Sequence, residues 1–136
     1  MKTIITYGTF DLFHVGHLRI LERARSLGDR LIVGVSTDEF NAQKGKVSAI
    51  TYVDRAEIVS GLSCVDRVTP EVSWDQKISD IGRWAIDVFV MGGDWVGRFD
   101  HLAEYCEVVY LSRTEGVSST MIKRKLGSNL SAERVL

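Results

Sequence analysis

Five short apolar runs recur along the chain, and a helical pattern follows each of them. The runs are Thr3–Tyr7, Leu31–Ser36, Cys64–Val68, Asp87–Met91 and Glu107–Leu111. Most are nearly continuous rather than alternating, which is typical of strands that are covered on both faces in a parallel sheet. The alternation of strand and helix predicts a doubly wound α/β fold with a parallel sheet of about five strands.

The helical patterns between and after these runs complete one structural unit. They cover Val15–Leu27, Val53–Gly61, Trp74–Trp84, Phe99–Tyr105 and Ser118–Leu126. The sequence has no internal repeat, low-complexity tract or linker. We therefore expect one domain over residues 1–126, followed by a tail over residues 127–136 that carries no motif.

Composition excludes several classes of function. The net charge of the 136-residue chain is −1, so no charge excess favours nucleic acid or an anionic membrane surface. No apolar run approaches the roughly 18 residues that span a bilayer, and the N-terminus lacks the layout of a signal peptide. Cys64 and Cys106 both adjoin strand-like segments, which favours buried free thiols. These features predict a soluble cytoplasmic protein.

The loops that follow the strands carry the unusual residues. In open parallel sheets, ligands bind beyond the carboxyl ends of the strands. Four segments meet this condition: Gly8–His17, Ser36–Asp38 with Lys44–Lys46, Gly92–Trp95, and Arg113–Thr120. Their convergence on one edge of the sheet predicts a ligand site there. Asp94 is a candidate within it, because two glycines precede it and leave space for a base.

His14 and His17 lie three residues apart at the start of a predicted helix, and therefore on one face of it. Gly16 between them allows close approach of a ligand, and the helix N-terminus offers free N–H groups and partial positive charge. An anion site with two imidazole donors follows, well suited to a triphosphate. A metal site and a purely structural cap remain as alternatives.

The segment Arg113–Thr120 ends in three consecutive hydroxyl residues at the start of the last predicted helix. One of them is expected to cap that helix, and the others can donate hydrogen bonds to phosphate. Lys44 and Lys46 flank a glycine in a long connection. A solvated surface loop is the plain interpretation, but transfer between two phosphates also needs cations of this kind.

His14-Val15-Gly16-His17 and Arg113-Thr114-Glu115-Gly116-Val117-Ser118-Ser119-Thr120 are the two most informative segments. They resemble the HxGH and RTEGxS[ST]T signatures of the cytidylyltransferase branch of the nucleotidyltransferase superfamily. The resemblance extends from Met1 to about Leu126 and implies the Rossmann-like fold of that superfamily. The catalytic residues that it implies are His14, His17, Lys44, Lys46 and Arg113. Together with the loop residues above, it leads us to expect CTP binding by Thr9, Phe10, His14, His17, Lys46, Asp94, Arg113, Thr114, Ser118, Ser119 and Thr120.

The same resemblance implies direct in-line transfer of CMP from CTP to a polyol phosphate, with sn-glycerol 3-phosphate as the expected acceptor substrate and CDP-glycerol and pyrophosphate as products. The residues assigned to the acceptor substrate are Lys44, Lys77, Asp11, Asp38, Arg55 and Asp66. Mg²⁺ is expected on the triphosphate, with Asp11 as the nearest protein partner, and a homodimer is expected. An adenylyltransferase of the same fold and a non-catalytic nucleotide-binding module are the two rival interpretations.

Overall fold

The computed structural model describes residues 1–112, which contain a five-stranded parallel sheet. Its strands are β1 (Thr3–Gly8), β2 (Arg30–Ser36), β3 (Arg67–Glu71), β4 (Val88–Gly92) and β5 (Glu107–Leu111), in the order β3-β2-β1-β4-β5. All four strand pairings are parallel. The predicted doubly wound α/β fold is confirmed. The strand order reverses between β1 and β4, and such a reversal opens a crevice at the carboxyl edge of a sheet.

Four α-helices and two short 3-10 helices connect the strands. The α-helices are α1 (Val15–Arg25), α2 (Asp38–Gln43), α3 (Tyr52–Ser60) and α4 (Gln76–Arg83). The 3-10 segments are Gly93–Trp95 and Asp100–Glu104. None of the described helices is long and apolar enough to cross a membrane. The helix predicted over Ser118–Leu126 and the tail over residues 127–136 lie outside the described part of the chain.

The sheet separates two hydrophobic clusters, as expected for strands that are covered on both faces. Ile4 and Val33 belong to the cluster that packs against α1 and α3, whereas Ile5 and Ile32 belong to the cluster beneath α4. Each of these four side chains is fully buried. Because adjacent residues of a strand point to opposite faces, the continuous apolar runs supply both clusters at once.

Gly34 in β2 allows the ring of Tyr7 in β1 to lie directly on the sheet. The two residues are register partners, and a Cβ atom at Gly34 would come within 2.3 Å of the Tyr7 ring. The Tyr7 hydroxyl donates a hydrogen bond of 2.7 Å to Asp80 in α4. This contact fixes α4 over the carboxyl half of β1, which places Lys77 of the same helix near the crevice.

The structure corrects three predicted elements. β3 covers Arg67–Glu71 rather than Cys64–Val68, α2 was not predicted as a helix, and the helix expected over Phe99–Tyr105 is a 3-10 segment. β3 includes Pro70, which an edge strand tolerates because one side of its backbone needs no ladder hydrogen bond. α2 has only six residues, too few to show a helical period.

Candidate functional site

A cavity of about 590 Å³ opens at the carboxyl edge of the sheet, where the strand order reverses. It collects residues from the loops after β1, β2 and β4, as the sequence predicts. The predicted site residues that line it are Thr9, Phe10, Asp11, His14, His17, Lys44, Lys46 and Asp94. Five others lie outside the described residues: Arg113, Thr114, Ser118, Ser119 and Thr120.

The loop after β1 is held in an unusual backbone conformation. Phe10 and Leu12 both have positive φ angles, of 55° and 48°, which non-glycine residues rarely adopt. Asp11 between them is buried, and its carboxylate accepts hydrogen bonds from the backbone N–H groups of Ala49 (2.8 Å) and Ile50 (2.9 Å). Strained residues persist where the surrounding structure fixes them, and they cluster at functional sites. The Asp11 carboxylate thus ties the first loop to the segment that follows Lys46.

His14 and His17 cap α1 reciprocally with their imidazole rings. The Nδ1 atom of His14 accepts a hydrogen bond from the Gly16 N–H (3.0 Å), and the Nδ1 atom of His17 accepts one from the His14 N–H (3.2 Å). The two rings stack with their centroids 3.9 Å apart. An acceptor nitrogen carries no proton, so in each neutral ring the proton must lie on Nε2. The cap therefore fixes the tautomer of both rings.

The charge state of both rings follows from their surroundings. Burial lowers the pKa of His14 below its usual value of 6.5. Burial, and after it the neighbouring His14, lowers the pKa of His17 to about 4, against a smaller opposing effect of Asp11. Both rings are neutral near pH 7 and can each donate one hydrogen bond from Nε2.

The Nε2 atom of His14 is buried and has no hydrogen-bond partner within residues 1–112. Leaving such a donor unpaired costs about 1–3 kcal/mol. A ligand oxygen in the cavity would remove this cost. The arrangement thus offers preorganised N–H donors to an anion, and such donors can stabilise charge that develops on oxygen in a transition state. The alternative of a purely structural cap does not account for the unpaired Nε2.

Lys44 and Lys77 approach the same aromatic ring from two different elements. The Lys44 Nζ lies 5.6 Å from the centroid of the Trp74 ring, and the Lys77 Nζ lies 5.2 Å from it. Lys77 is buried and pairs with Glu71, whereas Lys46 is exposed on the loop that lines the cavity. Lys77 is not among the residues that line the cavity, but its partner Glu71 is.

The other loop residues assigned to the nucleotide have modest contacts. The Thr9 hydroxyl donates to the side-chain oxygen of Asn41 at 3.2 Å, and Asp94 is exposed in the 3-10 segment after β4. Trp95 of the same segment lines the cavity and lies 5.9 Å from the Trp74 ring. Their roles in CTP binding stay predictions.

Arg55 and Asp38 are engaged within the protein. The Arg55 guanidinium is 1% exposed and donates to the carbonyl groups of Ile50, Thr9 and Ser36 and to the Asp38 carboxylate, at 2.7–2.8 Å. Asp38 also accepts the Tyr52 N–H, which caps α3, and this hydrogen bond is the largest cause of its lowered pKa. Neither residue lines the cavity.

The placement of Asp66 corrects its assignment to the acceptor substrate. Its carboxylate accepts the N–H of Leu31 at 2.7 Å and pairs with Arg25 at 3.3 Å. Leu31 lies at the start of β2, so Asp66 is at the amino edge of the sheet, opposite the cavity. The prediction was wrong because it placed Asp66 inside β3, whereas the strand begins one residue later.

Glu71 and Ser48 line the cavity and were not singled out from the sequence. A correct placement of β3 would have identified Glu71, because it is the last residue of a parallel strand. No pattern in the sequence would have identified Ser48. Its hydroxyl accepts a hydrogen bond from the Asn41 amide at 2.9 Å. Cys64 and Cys106 are free thiols, as predicted, although both are only half-buried.

Within residues 1–112, no group of three His, Cys, Asp or Glu side chains is arranged to hold a metal ion. Within the same residues, His14 and His17 therefore have no third side chain placed to complete a metal site. The Asp11 carboxylate, which was predicted to lie nearest to Mg²⁺, accepts three backbone N–H groups, those of Leu12, Ala49 and Ile50. The described residues therefore do not form a site for a resident metal.

Comparisons with known proteins agree with this geometry. Residues 5–125 match the family model described as cytidylyltransferase-like. The chain is 59% identical to the glycerol-3-phosphate cytidylyltransferase of Bacillus spizizenii, over 94% of this chain and 99% of the relative. It is 53% identical to the enzyme of that name from Staphylococcus aureus, over 93% of this chain and 96% of the relative.

A solved structure shows the same fold at lower identity. It is a lipopolysaccharide core biosynthesis protein from Thermoplasma volcanium, with a TM-score of 0.72 at 24% identity, covering 85% of this chain and 99% of that one. This likeness supports the α/β nucleotidyltransferase fold alone, whereas the family model and the high-identity relatives cover nearly the whole chain. The chain belongs to the cytidylyltransferase-like family.

Proposed function

We propose that this protein transfers CMP from CTP to sn-glycerol 3-phosphate and releases CDP-glycerol and pyrophosphate. The observation that carries the proposal is the reciprocal cap of His14 and His17, which presents neutral Nε2–H donors at a cavity with Lys44 and Lys46 in its wall. The curated relatives that span nearly the full chain are named for this activity.

The reaction is a direct in-line displacement. An oxygen of the acceptor phosphate forms a bond to the α-phosphorus of CTP, while the bond from that phosphorus to the bridging oxygen breaks and its electron pair leaves with pyrophosphate. Negative charge grows on the bridging and equatorial oxygens, so catalysis needs mainly positioning and electrostatic stabilisation. His14 and His17 donate from Nε2 to these oxygens without releasing a proton.

Lys44 and Lys46 offset the repulsion between the two anionic substrates. Lys44 is assigned to the acceptor phosphate and Lys46 to CTP. Lys77, which pairs with Glu71 behind the wall of the cavity, is also assigned to the acceptor phosphate. Ammonium groups suit this role because each is a compact charge with three donors. The two substrates can then approach one another although both are anions.

We further propose that the nucleotide enters as its magnesium complex, with the ion carried by the triphosphate. Mg²⁺ commonly binds through substrate phosphates and few protein oxygens. Chelation by EDTA is expected to stop turnover, and added Mg²⁺ to restore it.

Assembly as a homodimer and location in the cytoplasm also belong to the proposal. The free thiols of Cys64 and Cys106 suit a reducing compartment such as the cytoplasm. Light scattering at several protein concentrations tests the dimer.

The deciding experiment measures pyrophosphate release over a panel of nucleotides and polyol phosphates. With CTP and Mg²⁺, sn-glycerol 3-phosphate is expected to give the highest kcat/KM among the acceptors, and mass spectrometry is expected to detect CDP-glycerol. A preference for ATP would point to the adenylyltransferase alternative. Binding of CTP without turnover of any acceptor would point to a non-catalytic module, and either result would overturn the proposal.

A further inference from the structure

Glu71 is a buried carboxylate that lines the cavity and has no role in the chemistry described above. It is the last residue of β3, and its side chain is 5% exposed. A carboxylate among phosphate-binding lysines is unexpected, because it weakens the attraction of the site for anions. Its presence therefore calls for a function that outweighs this loss.

Both carboxylate oxygens of Glu71 accept hydrogen bonds from neighbouring side chains. Oε2 accepts a hydrogen bond from the Lys77 Nζ at 2.5 Å, and Oε1 accepts one from the Ser36 hydroxyl at 2.6 Å. The Ser36 Oγ in turn lies 3.3 Å from the Lys44 Nζ. Glu71 thus connects two lysines that come from different parts of the fold.

The direction of these hydrogen bonds is fixed by chemistry. An ammonium group can only donate, so Ser36 must accept from Lys44 with an oxygen lone pair. The single proton of the Ser36 hydroxyl is then directed to Glu71. Exchange of this carboxylate for an amide would remove the charge that attracts Lys77, and it would loosen the orientation of the hydroxyl that holds Lys44.

Both positive and negative side chains act on the Lys44 ammonium group. Burial lowers its pKa, and so do the charges of Lys46, Lys77 and Arg55, whereas the negative charge of Glu71 raises it. The rings of Phe40 and Trp74 lie within 4.4 and 5.6 Å of its Nζ. Within the described residues, the Glu71 carboxylate thus offsets the positive charges that surround Lys44. Without it, the lysines would repel one another with less compensation.

We propose that Glu71 is a positioning residue that holds Lys77 directly, and Lys44 through Ser36, charged and oriented toward the phosphate of the acceptor substrate. The proposal rests on the proposed transfer to sn-glycerol 3-phosphate and extends it to a residue that does not touch the reacting atoms. It accounts for the burial of both members of the Glu71–Lys77 pair, and for a serine placed between a carboxylate and a second lysine.

The test is steady-state kinetics of Glu71→Gln over a range of pH. We expect kcat/KM for sn-glycerol 3-phosphate to fall by about 10- to 100-fold, as when a buried charge pair loses one partner. KM for CTP is expected to stay within about twofold of the wild type, because Glu71 acts on the acceptor end. The alkaline limb of the pH profile should move to lower pH, since Lys44 loses the negative charge of Glu71, which raises its pKa.

Glu57→Gln is the matched control, because Glu57 is an exposed glutamate of α3. Equal losses for both substrates with an unmoved pH profile would show a merely structural role and overturn the proposal. Unchanged kinetics would do the same. Failure of the wild type itself to use sn-glycerol 3-phosphate would instead refute the proposed function.

Ser36→Ala keeps the inference testable where Glu71→Gln does not fold. This variant removes the link to Lys44 and leaves the Glu71–Lys77 pair intact. We expect a smaller loss of kcat/KM for the acceptor substrate, about 3- to 10-fold, with the alkaline limb moved in the same direction. Wild-type kinetics in Ser36→Ala would count against the connection through the serine and overturn the proposal.

Discussion

The imidazole rings of His14 and His17 serve the helix and the cavity at the same time. Each ring accepts a backbone N–H at Nδ1, which caps α1 and leaves the proton on Nε2. Burial lowers the pKa of both rings, so both are neutral near pH 7. The local structure therefore sets the tautomer and the charge that hydrogen-bond donation requires.

Replacement of His14 separates its hydrogen-bond donation in the cavity from its capping of α1. We expect His14→Ala to lower kcat by on the order of 100- to 1000-fold, the usual cost of losing one preorganised donor. Loss of the cap should also destabilise the fold by about 1 kcal/mol. His14→Asn is the sharper variant, because asparagine caps helices well and lacks a donor with the reach of Nε2.

Assays with CTP and sn-glycerol 3-phosphate, stopped at set times, measure kcat. Urea unfolding measures the free energy of unfolding. His101→Ala is the control, since His101 is exposed and does not line the cavity. It should keep wild-type kinetics to within about twofold. Near-normal turnover by His14→Asn would contradict the donor role.

At the scale of the elements, the edge strand β3 marks the limit of what apolar patterns predict. Cys64 and Val65 are apolar and pack against the core, but they do so from a turn, and the strand proper contains Pro70 and charged residues. An edge strand needs fewer apolar residues and fewer backbone donors than a central one. The error of three residues hid Glu71 and gave Asp66 a place at the wrong edge.

Arg55 joins α3 to the carboxyl ends of β1 and β2. Its guanidinium donates to carbonyl groups of Thr9, Ser36 and Ile50, which lie in three separate segments. We expect Arg55→Lys to lower the free energy of unfolding by about 3 kcal/mol, because a lysine cannot satisfy these acceptors with one ammonium group. Chemical denaturation followed by circular dichroism measures this loss.

The matched control for Arg55→Lys is Arg19→Lys, at an exposed pair with Glu22 on α1. Such pairs contribute about 0–1 kcal/mol, so little change is expected. The predicted role of Arg55 in acceptor binding is tested on the same variant. A large rise in KM for sn-glycerol 3-phosphate without any loss of stability would favour that role over the structural one.

At the scale of the whole molecule, topology determined which predictions succeeded. The rule that ligands bind at the carboxyl edge needs only that the strands are parallel, so it correctly brought together the loops after β1, β2 and β4. The partners of Arg55 and Asp38 depend on how α2 and α3 pack against those loops. Contacts over 14 to 46 residues leave no periodic signal in the sequence, so the hydrogen bonds of Arg55 and Asp38 within the protein could not be predicted from it.

Stability of the whole domain should depend on pH through the same histidines. His17 has a pKa of about 4 in the folded protein and about 6.5 when unfolded. Between these values the unfolded chain binds a proton that the folded protein does not, so the free energy of unfolding falls as pH falls through this window. Below about pH 4 both states are protonated and this contribution no longer changes.

His17→Gln tests this dependence, since glutamine at the third position of a helix preserves the reciprocal cap but does not titrate. Between pH 7 and pH 5 we expect the wild type to lose about 1 kcal/mol more than the variant, a value reduced for the partial exposure of the ring. Urea unfolding at the two pH values gives both free energies. The variant loses the ring contacts with Phe10 and Phe13 and is expected to be less stable at each pH, so the difference between the two slopes is the evidence. Equal slopes would mean that the pKa of His17 is the same in the folded and the unfolded protein, and the conclusion that burial keeps this ring neutral would have to be abandoned.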